Sequence, residues 1–194
     1  MSAAVGPRAV ARPGLLDRFV GPGHTRADLV VQGTGGLVCA ALLGLYLASS
    51  PAGPGWSAWQ VVLLAVIALD LIGGILTNST TAAKSWYHRP GARRTRLVFV
   101  TSHVLHLALV GLLLLDRDWT WLLVSGALLL AATLLIELAP RPVKLVVATG
   151  SYTAVLVLGL VLAPLPAALS WFPALFYLKL LVCFLVPAVE ARQA

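Results

Sequence analysis

Five ionisable residues sit in stretches of this chain that are otherwise apolar: Asp70, His103, His106, Glu137 and Lys179. Charged groups inside a membrane-spanning segment are costly, so they face a protein interior or a water-filled cavity. A carboxylate beside an imidazole forms a proton-transfer pair, because the carboxylate sets the tautomer and basicity of the ring. Asp70 and His103 are the residue types of such a pair, and His106 and Lys179 are further candidate catalytic groups. Two imidazoles and a carboxylate also make a partial shell for a divalent metal, which names His103, His106 and Asp70 as candidate ligands. The plainer alternative is a polar contact that only joins two helices, common in membranes and modest in energy.

Depth decides which of these groups can meet. At 1.5 Å per residue, Asp70 lies roughly 12 Å from the end of its helix near Asn78. His103 and His106 lie roughly 9 and 14 Å from the start of theirs near residue 97, and Lys179 again about 12 Å deep. Tyr152 falls at a similar depth. An Asp70–Lys179 ion pair is the simplest way to neutralise both charges. Asp70, Gly74, Thr77 and Thr81 recur on one helix face, and Phe99, His103, His106 and Val110 on another. The Gly73-Gly74 pair is expected to thin the helix wall beside Asp70 and leave room for a ligand. These coincidences predict one polar chamber open to the cytoplasm, lined by the second, third, fifth and sixth apolar stretches. The second and third, being consecutive, are expected to be neighbours.

The loop after Asn78 adds Thr81, Lys84, Trp86, Tyr87, His88 and Arg89. Hydroxyls, amides and guanidinium groups bind phosphate oxygens, so these residues are candidates for holding an anionic headgroup. A positive-inside loop with aromatic anchors explains the same composition. Glu137 is expected to form an ion pair with Lys144 or Arg141 near the interface. Its other reading is a second acid in the substrate pocket, across from Asp70.

The elements that must position these groups follow from composition. Of 194 residues, 59% are hydrophobic and 11% charged, against about 25% charged in soluble domains. A soluble enzyme is excluded. With a mean hydropathy of +0.92 spread along the chain, the expected class is an all-α, polytopic integral membrane protein. Six stretches reach the roughly 20 residues needed to span a bilayer: about 28–49, 57–78, 97–115, 119–138, 143–162 and 168–187. Pro-, Gly- and Asp-containing turns separate them. The predicted organisation is a basic tail over 1–27, one six-helix bundle over 28–187 and a short tail over 188–194. Leu15, Leu16, Phe19 and Val20 suggest a short surface helix within a tail that otherwise reads as disordered. No apolar core of signal-peptide length precedes residue 28, so no cleaved signal is expected.

Twelve of the 14 Lys and Arg residues fall on one side of this layout, which puts both termini in the cytoplasm by the positive-inside rule. Trp56, Trp59, Trp119, Trp121 and Trp171 cluster at the opposite ends of the helices, as an aromatic belt should. The net charge of +7 is read as loops against anionic headgroups, with membrane lipids as partners and no nucleic acid. Gly36, Ala40 and Gly44 form a small-residue stripe suited to helix packing, within the chain or between copies. Cys39 and Cys183 lie in apolar runs, with no disulfide framework or zinc spacing.

Familiar templates fail. Four histidines are too few for a membrane di-iron hydroxylase, and His103 and His106 share one face, which does not suit a bis-histidine haem. There is no G-x-S-x-G elbow, Walker motif or paired Asp-rich segment. Three classes remain, in order: an intramembrane acid–base enzyme acting on a lipophilic substrate, a proton-coupled transporter or channel, and a non-catalytic scaffold or assembly subunit. A transporter needs polar groups on both sides of the membrane, whereas the outer half of this chain is nearly uniformly apolar.

Overall fold

The computed structural model describes residues 20–50 and 55–188, together with Gly14 and Asp17. The described chain is helical and contains no strand. Six helices are long and apolar enough to cross a membrane: α1 (Arg26–Ser49), α2 (Ala58–Ser79), α4 (Arg93–Leu114), α5 (Trp119–Leu138), α6 (Arg141–Leu162) and α7 (Ala167–Phe184). A short helix, α3 (Thr81–Tyr87), joins α2 to α4. The protein is thus an all-helical, multi-pass membrane protein. The expected surface helix over 15–20 lies mostly outside the described residues, as do most of the N-terminal tail and residues 189–194.

Local chemistry sets the helix ends. Thr25 caps α1 in a reciprocal capping box with Asp28, and Ser57 and Gln60 form the same box on α2. Each box satisfies amide groups that a helix start leaves unbonded. Asp118 Oδ1 accepts from the Trp121 amide at 2.8 Å and starts α5. The preceding turn runs through Asp116 and Arg117, both with positive φ.

The core surrounds α7. Its spanning window is 56% buried, whereas that of α1 is 0% buried. α2 packs along α1 on one side and α7 on the other, α4 packs on α5, and α5 and α6 lie side by side. The second and third spans are neighbours as expected, but by side-chain contact. The backbones of α2 and α4 are not packed along their length, and the two helices meet through side chains. Trp56 Nε1 donates to the Leu114 carbonyl at 3.2 Å, and Gln60 Nε2 donates to the Leu113 carbonyl at 2.6 Å. Those carbonyls end α4, where no later turn of helix would use them.

Two stretches are π-helical: Val110–Leu114 closes α4 and Leu178–Phe184 closes α7. Their wider turns show in the bonds Leu115 N to Val110 O and Leu185 N to Leu180 O, each five residues back. Such turns recur at functional sites, and the second one carries Lys179.

Candidate functional site

Lys179, on α7, is 2% exposed at its side chain, and its Nζ lies 2.6 Å from Asp70 Oδ2 on α2. The approach depends on Gly74. A Cβ there would fall 2.2 Å from Lys179 Cε, so the lysine stem occupies the space that a side chain would fill. The expected ion pair is present, and the lysine stem fills part of the space at Gly74, while both glycines of the pair line the cavity beside Asp70. Gly73 has nothing within 4 Å of a built Cβ and remains open.

The same oxygen, Asp70 Oδ2, lies 2.9 Å from His106 Nε2 on α4. A carboxylate oxygen accepts, so Nε2 carries the proton and Nδ1 is the basic atom. His106 Nδ1 is buried and makes no hydrogen bond. One turn earlier, His103 Nδ1 lies 2.7 Å from the Phe99 carbonyl. That carbonyl can only accept, so Nδ1 is protonated and Nε2 is the basic atom of His103. In a regular helix the His103 amide would bond to Phe99; here it bonds to Val100 at 3.1 Å. The imidazole thus takes its own helix's acceptor and breaks α4 at that turn. The two rings stack 4.8 Å apart at 9°.

Donor atoms of Asp70, His103 and His106 lie within 4.8 Å of one another, so the expected metal-ligand trio does converge. A divalent ion there would displace the His106–Asp70 hydrogen bond and sit beside the Lys179 ammonium. The carboxylate is already neutralised by that ammonium, and an isolated acid–base group fits the arrangement better than an ion shell.

A cavity of about 280 Å³ lies between α2, α4 and α7, with Asp70, Gly73, Thr77, Asn78, Tyr87, Phe99, His103 and Lys179 in its wall. Val20 also lines it. Gly21, with φ of +92°, abuts the α3 backbone so closely that a Cβ would lie 2.4 Å from Ala82 C. A larger crevice of about 490 Å³ between α1, α2 and α7 is lined by Cys39, Leu42, Ile72 and Leu76 among other apolar groups. Its lining is almost wholly apolar.

Asn78 is 5% exposed, and its Nδ2 makes no hydrogen bond. Thr81 is exposed, on the first turn of α3. Lys84 is half-buried, and burial lowers its pKa. Burial raises the pKa of the Tyr87 phenol; its ring packs on Phe99 and Phe184. His88 Nε2 lies 2.9 Å from the Phe184 carbonyl, tying the α3–α4 turn to the end of α7. Burial lowers its pKa as well. The Arg89 guanidinium stacks 3.8 Å over Trp86 and donates to the Trp86 carbonyl. Of the expected headgroup residues, only Asn78 and Tyr87 join the cavity wall.

Two expectations are corrected. Tyr152 packs against the core from α6, and α6 supplies none of the cavity wall. Glu137 takes a partner on α4 instead of the nearby loop cations. Arg96 Nε and Nη2 bond its two carboxylate oxygens at 2.7 and 3.0 Å, and Arg93 Nε lies 3.9 Å away. Lys144 lies within electrostatic reach of Glu137 without an ion pair to it. Because α4 begins at Arg93, four residues before the expected start, Arg96 is helical and lies against the end of α5. Glu137 is therefore not a second acid in the cavity.

Sequence reasoning missed three features: the π turn under Lys179, the helix break at His103 and the Gly21–α3 contact. The first two carry no Gly or Pro signal, but the glycine between Val20 and Pro22 hinted at the third. Comparison with known proteins adds no assignment: no protein family, curated protein or solved structure matches this chain.

Proposed function

We propose that this protein is an intramembrane enzyme that moves a proton on the polar end of a lipophilic substrate. The observation that carries the reading is the convergence of Lys179 and His106 on Asp70 Oδ2 beside a cavity that His103 also lines. His103 Nε2 takes a proton from the substrate. The Lys179 ammonium, positioned by Asp70, stabilises the negative charge that develops and returns a proton. Asp70 also fixes the His106 ring, which stacks on His103 and holds it in place. Isomerisation, cyclisation and hydrolysis all use such a pair.

Size supports a lipid with its tail outside. About 280 Å³ is below the usual range for a whole drug-sized ligand, so the cavity takes the reacting end. Leu69, 59% exposed at its rim, faces the surrounding acyl chains. The clustering of Lys and Arg at the α3 end of the helices supports a cytoplasmic position for that end and for both termini.

The test places wild type, Asp70→Asn, His103→Ala and Lys179→Met in nanodiscs with a total membrane lipid extract. Lipids and bound metal are then measured by mass spectrometry. Conversion of one lipid by wild type and by none of the variants is the expected result. Unchanged lipids, together with proton flux that Asp70→Asn abolishes, would make the protein a transporter. A stoichiometric metal lost in His103→Ala would shift the chemistry to a metal-assisted form. If wild type neither converts a lipid nor moves protons, and Asp70→Asn impairs only assembly, the protein is a scaffold.

A further inference from the structure

Proton transfer between His103 and Lys179 leaves one polar group of the cavity wall without a task. Asn78, on the last turn of α2, shares that wall with Asp70, His103 and Lys179. It is 5% exposed, and its Nδ2 is buried with no hydrogen bond. Its polar neighbours are all satisfied. Thr77 Oγ1 donates to Gln32 Oε1 at 2.9 Å, Ser79 Oγ to the Ile75 carbonyl at 2.6 Å, and Thr80 Oγ1 to the Thr77 carbonyl at 2.8 Å. A buried amide donor left unpaired loses its hydration without return, and such groups are rare enough in folded proteins to need an explanation. The terminal torsion of asparagine is soft, so Nδ2 can turn into the cavity without a shift of α2.

Charge sets the kind of acceptor that Nδ2 can meet. The charged groups of the wall, Asp70 and Lys179, are paired at 2.6 Å and cancel. An anion beside Asn78 would enter without a free counterion in the wall, whereas a neutral oxygen needs only the N–H donor. By helix rise, Asn78 stands about 12 Å along α2 from Asp70. The acceptor is therefore a second polar group, apart from the one that exchanges a proton.

We infer that Asn78 is a specificity-determining residue, whose Nδ2 donates to a neutral carbonyl oxygen of a lipid ester, amide or ketone. The inference rests on the reading of this cavity as the seat of a lipid's polar end.

The full chain, delipidated in detergent, is titrated with three probes, and retention is read by native mass spectrometry. The probes are monooleoylglycerol, its ether analogue oleylglycerol, which has no carbonyl, and oleate. Wild type is expected to retain the ester about tenfold better than the ether. Asn78→Leu and Asn78→Ala should hold the two equally and weakly, while Asn78→Gln, which keeps the donor, recovers part of the preference. Because Asn78→Leu removes an unpaired donor, its melting temperature should match or exceed that of wild type. Equal retention of ester and ether by wild type would overturn the inference, as would an ester preference that survives in Asn78→Leu. Oleate held in preference to both neutral lipids would overturn the neutral class. Retention needs no turnover, so the two readings fail separately. An ester preference that depends on Asn78 supports the inference even where nanodiscs show no lipid conversion and the enzymatic reading falls. Conversion without any ester preference sinks the Asn78 inference alone.

Discussion

Lys179 Nζ reaches Asp70 Oδ2 at 2.6 Å across a helix contact that exists only because residue 74 has no side chain. The pair is asymmetric. The lysine is 2% exposed at its side chain, and the aspartate 45% exposed. Removing either partner therefore has a different cost. Asp70→Asn leaves a buried cation without compensation and should destabilise the protein by about 3–5 kcal/mol. Lys179→Met leaves a carboxylate that water in the cavity can reach, and should cost less. Unfolding in detergent, with the double variant closing the cycle, checks the order; a larger loss in Lys179→Met would refute it.

Gly74→Ala tests the close contact without changing a charge. The new methyl displaces the lysine stem, and the ion pair opens. Overpacking of this kind costs about 1–3 kcal/mol. Gly73→Ala, which meets nothing within 4 Å, should leave the melting temperature the same or slightly higher. Equal behaviour of the two variants would show that the stem is not confined.

The Arg96–Glu137 pair anchors the start of α4 to the end of α5. Arg96→Ala leaves Glu137 buried without its two principal donors, with an expected loss of about 3–5 kcal/mol. Arg96→Lys should restore little of that, because one ammonium cannot reproduce the planar fork and the third bond to Tyr87. Thermal unfolding of the two variants side by side gives the answer, and full rescue by lysine would contradict the geometry.

His88 makes a pH-dependent contribution whose sign is set by its burial. Its folded pKa is lowered, while the unfolded value is about 6.5. Above about 6.5 the ring is neutral in both states and contributes nothing to the slope. As pH falls below that value, the unfolded chain takes up a proton that the folded chain resists, so stability declines. The loss is complete below the folded pKa. His88→Gln keeps a donor for the Phe184 carbonyl and cannot titrate. The stability difference between wild type and His88→Gln should thus shift against wild type on going from pH 7 to pH 5. A pH-independent difference would argue that His88 titrates in the fold as it does when unfolded, and a shift in favour of wild type that it is charged in the fold.

Parts of this design were legible before any coordinates. The six spans follow from hydropathy, and Asp70, His103, His106 and Lys179 were grouped by helix rise alone, since an unneutralised charge at one depth needs a partner at that depth. The Gly73-Gly74 pair was read as room beside Asp70, and both line the cavity there; the lysine stem that also lies against Gly74 was not legible, because a missing side chain does not say what fills the gap. Glu137 was paired with its sequence neighbours because the start of α4 was placed at residue 97, which left Arg96 outside the helix. Adjacency of α2 and α4 was inferred from chain order and holds through side chains, but chain order gave no hint that α7, the last span, packs along α2. The π turns have no composition signature, and only the coordinates reveal them.

The position of α7 at the centre has a consequence for biosynthesis. Asp70 precedes Lys179 by 109 residues, on the order of ten seconds at the usual rate of translation. During that interval α2 is in the membrane, or held beside the insertion machinery, with a carboxylate whose cation has not been made. Assembly must therefore pass through a stage in which Asp70 is protonated, hydrated or sheltered by another protein. Arrival of α7 ends that stage by supplying the ammonium and the core together. A nascent chain truncated before residue 179 should accordingly be a substrate for membrane quality control, while the finished chain should not.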